Sequence, residues 1–96
     1  MARYSICTKI GNYIDYRDAA RSLKSAKHIA VSLAAAWSTE PAYSALLVYD
    51  TENMEKLVFK FEISPKFRAE VAEARKSNDY TGGFHVSTER LVGKYL

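Results

Sequence analysis

The chain has 96 residues, 48% hydrophobic and 26% charged, a balance that excludes a disordered polymer, and its length excludes two domains, so residues 1–96 are read as one compact unit. Its net charge of +3 is mildly basic, below what a dedicated DNA-binding module of this size concentrates. Cys7 stands alone, so no intrachain disulfide forms, no Cys/His spacing suits zinc, and a reducing, cytoplasmic setting fits best.

The first twenty residues carry polar side chains too often for the apolar core of a signal peptide. The longest apolar runs, 33–37 and 45–49, are five residues each, far below the roughly 20 that span a bilayer. No membrane partner is expected. Residues 4–10, YSICTKI, place Tyr4, Ile6, Thr8 and Ile10 on one side of an extended strand and turn Cys7 to the other. Gly11-Asn12 is a turn signal, and YIDYR after it reads as a second strand. A two-residue loop would set Ile6 opposite Arg17. A three-residue loop with Tyr13 at its exposed tip instead joins Ile6, Ile10, Ile14 and Tyr16 into one apolar face, and is the register this pattern favours.

Residues 22–37, SLKSAKHIAVSLAAAW, organise the rest. Leu23, Ala26, Ala30, Leu33, Ala34 and Trp37 recur at helical spacing, with Ser22 placed as N-cap. The stripe is mostly alanine, so the helix axis can approach a flat sheet closely, with the larger side chains filling the gaps. Arg21, Lys24 and His28 line the opposite side, with Lys27 on the flank. Pro41 closes the helical region, and Tyr43 sits near the end of the loop that follows. ALLVYD, 45–50, is apolar on both sides, as a central strand should be. KLVFKFEI, 56–63, puts Leu57, Phe59, Phe61 and Ile63 on one side and Val58, Lys60 and Glu62 on the other. Ser64-Pro65 starts a second helix that runs to about Lys76. Its apolar stripe is Phe67, Val71 and Ala74, and its mixed charges, Arg68 and Arg75 included, read as ordinary solvation. SNDYTGG is a loop, 84–86 a candidate short strand, and Thr88 and Glu89 the opening of a short helix that ends at Gly93.

The pattern predicts an α+β domain: an antiparallel sheet of about four strands, with the long amphipathic helix packed on one face and a second helix beside it, in the order ββαββα. The rival order is the ferredoxin-like βαββαβ, with residues 4–17 as one broken strand and 84–86 as the last. Catalytic equipment is not visible. His28 and His85 lack a positioned partner, Gly82-Gly83 does not precede a helix as a phosphate loop must, and no cofactor is implied. The aromatics of KLVFKFEI lack the glycines of an RNA-binding strand and read as core.

What remains is surface. Arg21, Lys24 and His28, with Lys27 on the flank, form a cationic stripe without an interrupting acid, to which a phosphate-binding reading adds Arg17; an ordinary solvated helix also shows such a stripe. Seven tyrosines offer broad contact area with a polar tip, and Tyr13, Tyr43 and Tyr80 fall in loops or at element ends, where they contact a partner or seal the core rim. The expectation is a non-catalytic protein that binds another protein, as inhibitor or adaptor. The alternative is a weak nucleic-acid binder that uses the cationic stripe, and an unpaired sheet edge offers a route to a homodimer. In size and outline the arrangement is similar to the small α+β inhibitor and accessory proteins of phages and plasmids, a general likeness that carries no individual residue.

Overall fold

A computed structural model describes residues 2–77 and 86–96. In chain order it holds β1 (Tyr4–Ile10), β2 (Tyr13–Ala20), α1 (Leu23–Ala36), β3 (Tyr43–Asp50), β4 (Lys56–Glu62), α2 (Pro65–Ser77) and α3 (Val86–Lys94). The strands form one antiparallel sheet of order β2-β1-β3-β4. Because β1 is antiparallel to both neighbours, β2 and β3 run parallel, and α1 carries the chain from the edge across β1 to the centre.

The helix starts are local chemistry. Ser22 Oγ accepts the Ser25 amide at 3.1 Å, and Ser64 Oγ accepts the Phe67 amide at 3.1 Å, with Pro65 at the first helical position, where no amide is required. On α1, Ala26, Ala30, Val31, Ala34 and Ala35 are buried, whereas Leu23, Leu33 and Trp37 are half-buried at the rim. The buried stripe is thus turned toward Val31 and Ala35 from the line drawn through the larger residues. Short side chains seat α1 over Ile6, Leu46 and Val48 of the central strands. The aromatic rings of Phe61, Phe67 and Tyr95 meet edge to face at 4.9–5.4 Å and close the core where β4, α2 and the end of α3 meet.

Three expectations are overturned. The β1–β2 connection is a two-residue turn: Ile10 pairs with Tyr13, and Gly11 takes a φ of 61°, the geometry that lets the twist of two antiparallel strands continue through a tight turn. Ile14 and Tyr16 therefore oppose Lys9 and Cys7 and leave the face that holds Ile6 and Ile10. A bulge at Arg17 then shifts the register, so that Asp18 rather than Arg17 opposes Ile6. A second bulge at Val58 sends Leu57 to the same outer face, opposite Tyr49, while Phe59 and Phe61 keep to the helix side with Val48 and Leu46. The ferredoxin-like alternative does not hold, because residues 4–20 form two strands joined by a turn and Val86 opens α3; residues 84 and 85 of the candidate last strand, with His85, lie outside the described residues.

The third correction concerns α2. Arg68 Nη1 donates to the carbonyls of Ser38 (2.6 Å) and Glu40 (2.9 Å), Nη2 to that of Tyr43, and Nε to that of Ile63 at 3.2 Å. Arg75 Nη2 donates to the Ala35 carbonyl at 2.8 Å. Two guanidinium groups one heptad apart thus satisfy carbonyls at the negative end of α1 and along the loop after it, where a cation is favoured. They bind backbone instead of being merely solvated.

Candidate interaction site

The predicted surface residues separate into two groups. At the C-terminal end of α1, the Trp37 and Tyr43 rings stack at 5.0 Å with 30° between planes. The Arg17 guanidinium lies over Trp37 at 4.9 Å and over Tyr43 at 6.0 Å, and is held from the far side by Asp15 Oδ2 at 3.1 Å. Arg17 follows Tyr13 and Asp15 by strand alternation onto the helix side of β2, which brings it to Trp37 and Tyr43. Tyr13 pairs with Ile10, and Ile10 with Tyr43, so Tyr13 ends the same cross-strand row and is 63% exposed. It is the first residue of β2 rather than a loop tip.

Arg21, Lys24 and His28 are exposed at the other end of α1. The thirteen residue steps from Lys24 to Trp37 separate the two groups by about 20 Å along the helix, so Arg17 does not join the cationic stripe it was grouped with. Lys27 is half-buried, with its ammonium 5.4 Å from the centre of the Phe59 ring, a cation-π contact that ties it to the core edge. Leu23, Lys24, Ser25, Lys27, His28 and Leu96 border a concavity of about 790 Å3. Tyr80 lies outside the described residues.

The back of the sheet is the surface that sequence reasoning missed. Cys7, Ala45 and Leu47 are buried there, beneath the half-buried Tyr49, while Ile14, Tyr16 and Leu57 are 48%, 60% and 45% exposed around them. No described helix packs on this face. Burial holds the Cys7 thiol above its ordinary value of 9.0, and Asp15 and Glu55 push in the same direction, so it stays protonated and serves as packing. The sequence signals for this face are Cys7, turned away from Ile6 on β1, and the outer positions of β3, Ala45, Leu47 and Tyr49.

Two further groups of charges are committed to structure. Arg3 grips Asp50 with two hydrogen bonds of 3.0 and 2.9 Å, and the Glu52 amide adds a third at 3.1 Å. The Arg3 bonds above all hold the Asp50 carboxyl below its ordinary value. Glu70 accepts from Lys94 Nζ at 2.8 Å and from the Tyr95 hydroxyl, and the Lys94 bond is the main reason its carboxyl is also lowered. Among the described residues, no group of three or more His, Cys, Asp or Glu side chains is placed to hold a metal, and no helix is long and apolar enough to cross a membrane. Comparison with known proteins finds no matching family, no matching curated protein and no matching solved structure.

Proposed function

We propose that this protein acts without catalysis by binding another protein, as an inhibitor or adaptor, through a contact centred on Trp37, Tyr43, Arg17 and Tyr13. The observation that carries the reading is the ordered stack of Arg17 on Trp37 and Tyr43. Trp, Tyr and Arg dominate the energetic centres of protein interfaces, and a group already held by neighbours loses little freedom when a partner arrives. The cationic end of α1 lies on the same side of the sheet and favours a partner with an acidic rim, mainly by speeding the encounter.

The runner-up is phosphate-backbone binding by Arg21, Lys24, Lys27 and His28, which no described acid pairs with. Capture from native lysate with and without nuclease separates the two readings. A protein retained after nuclease by the wild type and lost by Arg17→Ala/Tyr13→Ala, with an unchanged circular dichroism spectrum, is the expected result. Recovery of nucleic acid that dissociates as salt rises from about 50 to about 200 mM, or capture indifferent to Arg17 and Tyr13, overturns it.

A further inference from the structure

The two edges of the sheet are not alike. The Ile63 amide donates to the Ser44 carbonyl at 2.9 Å. Backbone bonds alternate along an antiparallel strand, so this one bond sets the direction of the rest: Ser44, Leu46 and Val48 turn their amides and carbonyls to β4, and Ala45 and Leu47 turn theirs to β1. Carried across the register, Lys9 and Cys7 bond to β3, Ile10 and Thr8 bond to β2, and Tyr13 and Asp15 bond to β1. The backbone groups left pointing off the sheet are those of Ile14 and Tyr16 on β2 and of Lys60 and Glu62 on β4.

On β4 the outer edge is guarded. Lys60 and Glu62 pair at 3.3 Å, and the Glu62 carbonyl already accepts the Ser64 amide at 3.0 Å, so a strand arriving there meets charge and a used acceptor. On β2, between the Gly11 turn and the bulge at Arg17, both residues with outward backbone are large and hydrophobic, and no described strand pairs with that side. Tyr13, Ile14 and Tyr16 are three of the six large hydrophobic residues exposed among the described ones. They lie on both faces, Tyr13 on the helix side and Ile14 and Tyr16 on the back. A rounded surface laid on one face covers only one of these sets, whereas an added strand places side chains beside both.

We propose, on the basis of the partner reading above, that the partner docks by adding an extended segment to β2 along residues 13–16. Its apolar side chains fall at every second position, on the back against Ile14 and Tyr16, and its polar ones lie on the helix side beside Tyr13 and Arg17. Main-chain hydrogen bonds to Ile14 and Tyr16 supply the attachment, and the stack of Arg17 on Trp37 and Tyr43 stands where it meets the helix-side residues. A second copy of this chain does not fit. The twofold register that joins Ile14 to Tyr16 of the other copy sets Asp15 directly opposite Asp15, where like charges repel, and every other twofold register carries Ile14 or Tyr16 onto the turn or the bulge. The occupant is therefore a different sequence.

An array of immobilised peptides of about seven residues, apolar and polar in strict alternation, tests this on the whole wild-type chain. For each peptide bound, N-methylation of the alternate amides that face β2 should weaken binding at least about tenfold, and methylation of the other alternate set should be tolerated. Hydrogen exchange at the Ile14 and Tyr16 amides should slow at least about tenfold on binding. Tyr16→Pro removes an outward amide without touching the bonds to β1 and should weaken binding by a similar factor, while Lys60→Pro, the same change on the β4 edge, leaves it unchanged. Ile14→Lys with Tyr16→Lys keeps every backbone group and should weaken binding as well, so the outcome does not hang on tolerance of proline. An array with no bound peptide, binding in which both methylated sets behave alike, or binding that follows Lys60→Pro instead of Tyr16→Pro overturns the proposal. A captured protein lost with Arg17→Ala/Tyr13→Ala but indifferent to Tyr16→Pro sinks strand addition alone. Capture of nucleic acid alone sinks the partner reading and leaves the array to decide strand addition.

Discussion

Replacing Thr8 with valine isolates the cost of one buried hydroxyl. Thr8 lies on the helix side of β1, is 0% exposed, and its Oγ1 has no hydrogen-bond partner among the described residues. Stranding a hydroxyl away from water costs about 1–3 kcal/mol in protein substitution series. Valine keeps the branched shape and puts a methyl group where the oxygen was, so Thr8→Val should stabilise the fold by about 1–2 kcal/mol. For a domain of this size each kcal/mol moves the thermal midpoint by about 4–8 °C, and with a urea slope near 1–1.5 kcal/mol/M the urea midpoint should rise by about 1 M. Thr8→Ser retains the stranded oxygen and loses the methyl group, so it should cost about 1 kcal/mol. Opposite signs for the two variants, read by urea denaturation at fixed pH, are the diagnostic result. A valine variant no more stable than wild type would mean that the hydroxyl is bonded in solution, and the reasoning from burial would fail.

Two further outcomes follow from the charged groups. Arg68→Leu strands several loop carbonyls at once and should destabilise by about 2–4 kcal/mol, and Arg68→Lys should recover less than half, because one ammonium cannot serve carbonyls that a planar fork reaches together; denaturant midpoints of the three proteins decide it. The Asp50 carboxyl is held below its ordinary 3.8, chiefly by Arg3, so its contribution is fully present above that value and is lost as pH falls below it toward the lower folded-state value. Asp50→Asn should therefore lower the thermal midpoint at neutral pH and flatten its decline below about pH 4; a decline of unchanged steepness would remove Asp50 from the account of acid sensitivity.

Much of this architecture is written locally. Ser22 and Ser64 cap their helices because a hydroxyl one position before a helix meets the free amides of its own first turn, whatever lies around it. Alanines at 26, 30 and 34 face the sheet because helical period alone aligns them, and β3 takes the centre because it is apolar on both sides.

Which face each edge-strand residue serves was settled only by tertiary structure. A strand alternates strictly, so one tight turn or one extra residue moves every side chain beyond it to the other side of the sheet. The Gly11 turn and the bulge at Val58 did this, sending Ile14, Tyr16 and Leu57 outward, and the bulge at Arg17 put Asp18 opposite Ile6. A bulge costs little locally and is chosen by what it lets distant parts pack, so no short window of sequence announces it. Arg68 and Arg75 obey the same logic: their spacing on α2 is compatible with water, and only the unsatisfied carbonyls at the end of α1 turn them inward.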